Sequence, residues 1–279
     1  MVNPTYFEAI KWASSFLTKN KKEDASSFLM QERFNLDQTH LLLNYRHAMA
    51  AADWHQFQAD IRQFAADVPA QYIVGHTHFY GHRFRVTDAT LIPRPETEEL
   101  VEWALELGER PLNVLDLGTG SGAIGISLKL ARPNWQVTAS DISAAALTVA
   151  KQNAQELGAT VTFQQSDMFK SLTQQTFDLI VSNPPYIANS ETVVMDASVL
   201  KFEPKTALFS GTDGLNFYRR LLSQLPLHLN TSGYFFGEFG FKQKTALSQL
   251  VQQQLALVAR FKKDITGHDR MMRIQYKEV

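Results

Sequence analysis

Val114-Leu115-Asp116-Leu117-Gly118-Thr119-Gly120-Ser121-Gly122 is an apolar strand that runs straight into a glycine-rich turn. Apolar residues at helical spacing follow at about 122–131, and from there strand-like and helix-like stretches alternate. Residues 113–117, 136–140, 161–165, 177–181 and 233–239 read as strands. Helices are expected between them, at about 122–131, 143–157, 213–228 and 241–255. Such alternation predicts an α/β fold with a doubly wound, mostly parallel sheet. Two late apolar stretches, 257–264 and 271–277, are expected to add an antiparallel edge.

Upstream the pattern differs. Residues 1–75 carry no strand-like run and read as a small helical bundle. One helix is expected over 4–17, one from Asp24 or Ser26 through Phe34, one from Asp37 through Tyr45, and one from Asp53 through Ala66. Residues 76–92 read as a β-hairpin linker, with 79–86 alternating around Gly81 and a turn at 87–90. The division expected is therefore a helical domain at 1–75, a hairpin linker at 76–92 and the α/β domain at 93–279, which opens with a helix from Glu96 or Thr97 to Leu107.

Bulk properties exclude several classes. The chain has 279 residues, enough for one large domain and a small one. No apolar stretch reaches the ~18 residues of a membrane span, and the N-terminus lacks the basic and apolar blocks of a secretory signal. Cysteine is absent, which excludes disulfides, thiolate metal sites and a cysteine nucleophile and fits a reducing compartment. A net charge of −1 does not point to nucleic acid.

Two constellations carry chemistry. Gly118, Thr119, Gly120, Ser121 and Gly122 form a turn through which a ligand can approach the backbone, and Asp141, 21 residues past Gly120, ends the next strand. A carboxylate there can accept from both hydroxyls of a ribose. The same glycines also admit a dinucleotide reading or a merely tight strand–helix turn, and Asp141 also reads as a helix cap ahead of Ser143. Asp116 within the strand and the absence of a G-x-G-x-x-G opening on a pyrophosphate argue against the dinucleotide. The second constellation is Asn183-Pro184-Pro185-Tyr186, at the end of the 177–181 strand. Asn183 offers an acceptor oxygen, and Pro184 a carbonyl with no amide of its own. Together they can accept both hydrogens of a planar NH2, a group whose delocalised lone pair makes it a poor nucleophile. Tyr186 can pack on the flat group. A plain strand-ending turn is the alternative.

The sequence D-L-G-T-G-S-G, then Asp141, then N-P-P-Y resembles S-adenosylmethionine-dependent methyltransferases acting on planar nitrogen. Leu91-Ile92-Pro93-Arg94-Pro95-Glu96-Thr97-Glu98, Glu203-Pro204 with Ala207-Leu208, and Gly211 to Leu215 are similar to the peptide chain release factor glutamine methyltransferase family from about Tyr72 onward. The resemblance implies a Rossmann-like methyltransferase sheet with S-adenosylmethionine held by Gly118, Thr119, Gly120, Ser121, Gly122 and Asp141, and with Met168 against the adenine. It implies that Asn183 touches cofactor and substrate, with Asn183, Pro184 and Tyr186 catalytic. Pro184, Pro185 and Tyr186 would line a glutamine pocket, and Arg94 and Glu96 would help close it. Class 1 peptide chain release factors are the implied partners, methylated on the glutamine of their Gly-Gly-Gln motif by a cytoplasmic monomer with no stable nucleic-acid partner and no membrane. The ribosomal protein glutamine methyltransferases are the nearest alternative, although the P-R-P-E-T-E run is intact here. An adenine-type amino methyltransferase would need a basic surface, and a non-catalytic scaffold would not need N-P-P-Y.

Other features are read as structural. His76, His78 and His82 cluster in the hairpin, but no carboxylate or cysteine completes a metal set, and alternating strand residues place them on one face, so no metal is expected. Trp12, Phe16, Trp54, Phe57 and Phe64 read as the core of the helical segment, with some left for a partner. Glu238 is expected at the end of the sheet, without an assigned role.

Overall fold

The computed structural model describes residues 3–277. Two compact units are present: one runs up to His76 and includes Asp196–Phe202, and the other comprises Thr77–Met195 and the chain from Glu203 onward.

The first unit is helical: α1 (Tyr6–Lys19), α2 (Ser26–Phe34), α3 (Gln38–Asn44), α4 (Ala51–Ala65) and α5 (Ala70–Val74). Thr5 and Glu8 form a capping box at α1, and Asp37 caps α3 by accepting from the His40 amide at 2.7 Å. The helix expected from Asp53 starts two residues earlier. Asp53 falls in its first turn, where a negative charge complements the helix dipole. Ala13, Leu17, Leu29, Met30, Phe57 and Ile61 are buried in the core. Trp12, Phe16, Trp54 and Phe64 pack against that core but stay partly exposed. The buried Asp60 carboxylate accepts from Arg33 Nε at 2.6 Å, and Arg33 also donates to the Ile73 carbonyl. A carboxylate does reach one of the clustered histidines, contrary to the sequence expectation: Glu32 Oε2 lies 2.7 Å from His76 Nε2. Glu32 is 44 residues away in sequence, so spacing alone did not reveal it.

The hairpin of β1 (His76–Phe79) and β2 (His82–Arg85), whose residues from Thr77 onward belong to the second unit, turns at Tyr80–Gly81. It starts three residues before the expected alternation. Then come α6 (Pro95–Leu105), β3 (Asn113–Leu117), α7 (Ala123–Ala131), β4 (Gln136–Asp141), α8 (Ala144–Glu156), β5 (Thr162–Gln165) and β6 (Phe177–Ser182). A 3-10 turn at Asn189–Val194, α9 (Ala197–Phe202, within the helical unit) and α10 (Lys205–Leu208) fill a stretch for which no element was expected. The chain ends with α11 (Asn216–His228), β7 (Leu229–Glu238), α12 (Lys244–Gln252), β8 (Leu257–Lys263) and β9 (Asp269–Tyr276).

Among the described residues these strands form a seven-stranded sheet in the order β5-β4-β3-β6-β7-β9-β8. Strands β3 to β7 are mutually parallel, and β9 runs antiparallel to β7 and β8, as expected of the edge. Alternate residues serve opposite faces. Leu115, Leu117, Ile180 and Phe235 pack with Tyr218, Leu221 and Leu247 of α11 and α12. Val114, Val137, Leu179 and Phe236 pack with Leu100, Trp103 and Ile126 of α6 and α7. Both faces are covered, which is why these strands read as continuous apolar runs. The chain leaves β3 for β4 on one side and later returns to place β6 on the other. A crevice therefore opens at the carboxyl ends of β3 and β6.

Candidate active site

Strand register brings the ends of four strands together. Leu117 pairs with Ser140, Asp116 with Val181 and Ser182 with Gly237, so Gly118, Asp141, Asn183 and Glu238 all follow or end neighbouring strands at one edge. A cavity of about 370 Å³ lies there.

Its first wall is the turn after β3. Gly118 and Gly120 take φ values of +75° and +56°, a region costly for residues with a Cβ. A Cβ on either would meet no atom within 4 Å, and both residues line the cavity, so the absent side chains leave space for a ligand. Thr119 and Ser121 also line it. Gly122 instead packs towards α7 and α8, where a Cβ would lie 2.6 Å from Ile126 Cδ1 and 3.2 Å from Ala150 Cβ.

The turn is held from below by Asp116. This fully buried carboxylate accepts from the Thr119 hydroxyl at 2.5 Å and from the Gly125 amide at 2.8 Å. Burial pushes its pKa up to about 6. It is held from the side by Asp141, whose Oδ2 accepts from the Gly120 amide at 2.9 Å and whose Oδ1 accepts from the Ser143 amide at 2.9 Å. Ser143 itself caps α8 by accepting from the Ala146 amide, so the capping reading belongs to Ser143 and Asp141 braces it from outside the helix. Asp141 lines the cavity and keeps further lone pairs on both oxygens. Met168, also on the wall, adds an apolar surface.

These residues fit S-adenosylmethionine. An open glycine cradle, a carboxylate at the end of the second strand and an apolar patch suit the donor's amino-acid tail, ribose and adenine respectively.

Across the cavity lie Asn183, Pro184 and Pro185. Asn183 Nδ2 donates to Thr97 Oγ1 at 2.9 Å, and the Thr97 hydroxyl donates to Glu238 Oε2 at 2.6 Å. The Tyr186 hydroxyl donates to Glu238 Oε1 at 3.0 Å. No protein donor among the described residues reaches Asn183 Oδ1 or the Pro184 carbonyl. Glu238 is buried at the end of β7, and burial raises its pKa while its two hydroxyl donors and Arg270 oppose that rise. The Tyr186 phenol is held far above its ordinary range, first by burial and then by the Glu238 charge, so it stays a donor. Gln243 fastens this loop by donating to the Tyr186 carbonyl at 2.7 Å.

Arg94 and Glu96 sit outside the cavity wall. The Arg94 guanidinium pairs with Glu203, whose carboxylate is buried and also accepts from the Ile92 amide at 3.4 Å. Glu96 is half-buried in the first turn of α6, where its charge opposes ionisation of Glu238. Pro93 and Thr97 of the same segment do line the cavity. Sequence reasoning assigned no role to three polar residues, Thr97, Glu203 and Glu238, although it placed Glu238 at the end of the sheet. The signal available for Glu238 was a lone acid after Phe235-Phe236-Gly237 on a strand buried on both faces. Thr97 and Glu203 stood within quoted motifs but carried no separate clue.

Comparison with known proteins agrees with this geometry. A family profile described as Methyltransferase small domain matches residues 100–211, and one described as PrmC N-terminal domain matches residues 8–75. A release factor glutamine methyltransferase of Enterococcus faecalis is 46% identical over 269 residues, 95% of this chain and 97% of that protein. The chain belongs to the release factor glutamine methyltransferase family. Another member, from Bacillus anthracis, is 40% identical over 95% of this chain and 97% of its own length. Among solved structures, a methyltransferase from Pyrococcus furiosus shares the fold with a TM-score of 0.52 at 21% identity, covering 80% of this chain and 98% of that one. As a family member the chain is an S-adenosylmethionine-dependent methyltransferase. No described helix is long and apolar enough to cross a membrane.

Proposed function

We propose that this enzyme methylates the side-chain amide nitrogen of the glutamine in the Gly-Gly-Gln motif of class 1 peptide chain release factors. S-adenosylmethionine supplies the methyl group as an electrophile on a positively charged sulfur. The remaining requirement is to hold a weakly nucleophilic carboxamide, and the observation that carries the reading is the pair of vacant acceptors beside the glycine cradle. Asn183 Oδ1 and the Pro184 carbonyl accept the two hydrogens of the substrate NH2 and fix its plane. Those hydrogen bonds strengthen as positive charge develops on nitrogen, which is where a preorganised acceptor contributes to rate. Alignment of the amide adds several kcal/mol. The methylated amide loses its extra proton readily, so no strong general base is required.

Gly118, Thr119, Gly120, Ser121 and Asp141 hold the donor, with Met168 against its adenine, and Gly122 supports the turn from beneath. Pro185 adds a rigid wall to the glutamine pocket, and Tyr186 braces that wall through Glu238. Arg94 and Glu96 shape the pocket from behind, through Glu203 and Glu238. The helical unit is assigned to recognition of the protein substrate. It carries exposed Phe7, Leu42 and Leu43 and none of the catalytic groups. The enzyme acts in the cytoplasm as a monomer with no stable nucleic-acid partner, because the cavity is complete within one chain and the net charge is −1.

Incubation with purified release factor and labelled S-adenosylmethionine, followed by mass spectrometry, tests the reading. One glutamine of the release factor should gain the mass of a single methylene. Label on a ribosomal protein or on nucleic acid instead would overturn it.

A further inference from the structure

The chain Tyr186–Glu238–Thr97–Asn183 has a direction. Glu238 sits at the carboxyl end of β7, buried, with Thr97 Oγ1 at 2.6 Å from one oxygen and Tyr186 OH at 3.0 Å from the other. An ionised carboxylate only accepts. Thr97 has a single proton, and giving it to Glu238 leaves its oxygen able only to accept from Asn183, 2.9 Å away. Asn183 must therefore turn its NH2 towards Thr97 and its oxygen away from it. In the opposite orientation, Asn183 Oδ1 would face Thr97 Oγ1 with no hydrogen between them, and the amide's NH2 would meet the hydrogens of a substrate NH2.

We propose that Thr97 and Glu238 are positioning residues that select the catalytic orientation of the Asn183 carboxamide, so that an oxygen rather than an NH2 is offered to the substrate amide. This rests on the reading of Asn183 as the acceptor. Neither residue needs to touch substrate through its polar atoms. Glu238 acts at one remove, through the Thr97 hydroxyl. Tyr186, fixed on the far oxygen of Glu238, keeps the carboxylate in place, and the Tyr218 hydroxyl does the same by donating to the Glu238 main-chain carbonyl.

The test is a double-mutant cycle with release factor as substrate. Thr97→Val keeps the shape and removes the hydroxyl, and Thr97→Ser keeps the hydroxyl. Thr97→Val should lower kcat about 10–100-fold, the span of one hydrogen bond to a charged group, with KM for S-adenosylmethionine nearly unchanged. Thr97→Ser should recover most of that loss. In an Asn183→Ala background, Thr97→Val should cost little further, because there is no amide left to orient. Should Thr97→Val fail to fold, Glu238→Gln gives the same reading. A glutamine can donate to Thr97 and so permits both orientations, and its kcat loss should also vanish in Asn183→Ala. Equal losses with and without Asn183, or full kcat in both single variants, would overturn the proposal. Absence of methylation by the wild-type enzyme would instead overturn the functional reading beneath it.

Discussion

Asp116 and Asn183 represent two uses of a polar side chain, one fully buried beneath the cavity and one half-buried on its wall. Asp116 is structural: it ties Thr119 and Gly125 under the glycine turn, and one of its oxygens has no partner among the described residues. Its folded pKa of about 6 lies above the usual 3.8, so between these values the folded protein binds more protons than the unfolded chain. Stability from this residue is therefore greatest below about pH 4 and is lost as pH rises towards 6, by at most about 3 kcal/mol. Urea melts across that window should show the decline in wild type and a flatter profile in Asp116→Asn. Asn183 is the acceptor in the proposed reaction. Asn183→Ala should lower kcat about 10²–10³-fold, as removal of a transition-state hydrogen-bonding group does, while the Kd for S-adenosylmethionine changes far less. Steady-state kinetics with release factor alongside calorimetric cofactor binding separate the two effects.

The glycine turn and the N-P-P-Y loop owe their shapes to close packing at single glycines. A Cβ on Gly214 would lie 2.2 Å from the Tyr186 carbonyl oxygen, and its φ of +74° adds strain. Gly214→Ala should thus displace the loop that carries Tyr186, lowering stability by about 1–3 kcal/mol and reducing kcat. A Cβ on Gly118 meets no atom, so Gly118→Ala should lose only the about 1–2 kcal/mol of its left-handed φ of +75° and fail chiefly in cofactor affinity, because the methyl enters the cavity. Thermal melts and cofactor titrations distinguish the two. The α/β alternation was legible in the sequence because the central strands β3 and β6 are buried on both faces and read as near-continuous apolar runs, with helical periods between the strands. Strand β7 begins four residues before its expected start because Asn230, Thr231 and Ser232 offer no apolar pattern, and the ladder with β6 is irregular there. The 3-10 turn and helices α9 and α10 are too short to carry a period. The two loops that line the cavity were legible because glycine and proline set the backbone apart in ways few other residues do. The Thr97–Glu238 connection was not, since it spans 141 residues and depends on strand register and the placement of α6.

In the proposed function the α/β unit holds the cofactor and the helical unit meets the protein substrate. The α/β unit contains every group that lines the cavity. The helical unit buries Leu41 but leaves Leu42 and Leu43 at 52% and 69% exposure on α3. Replacing both with Asp should raise KM for release factor about 30-fold, the scale of an interface hot spot, while leaving the melting temperature and kcat close to wild type. The proposed function as a whole depends on a carboxamide held by two acceptors at the end of β6. The most direct measurement is a crystal structure with S-adenosylhomocysteine and a glutamine-bearing release factor. Asn183 Oδ1 and the Pro184 carbonyl oxygen should both lie within hydrogen-bond distance of the same substrate amide nitrogen. A glutamine nitrogen held by other groups, with those two oxygens turned elsewhere, would contradict the account.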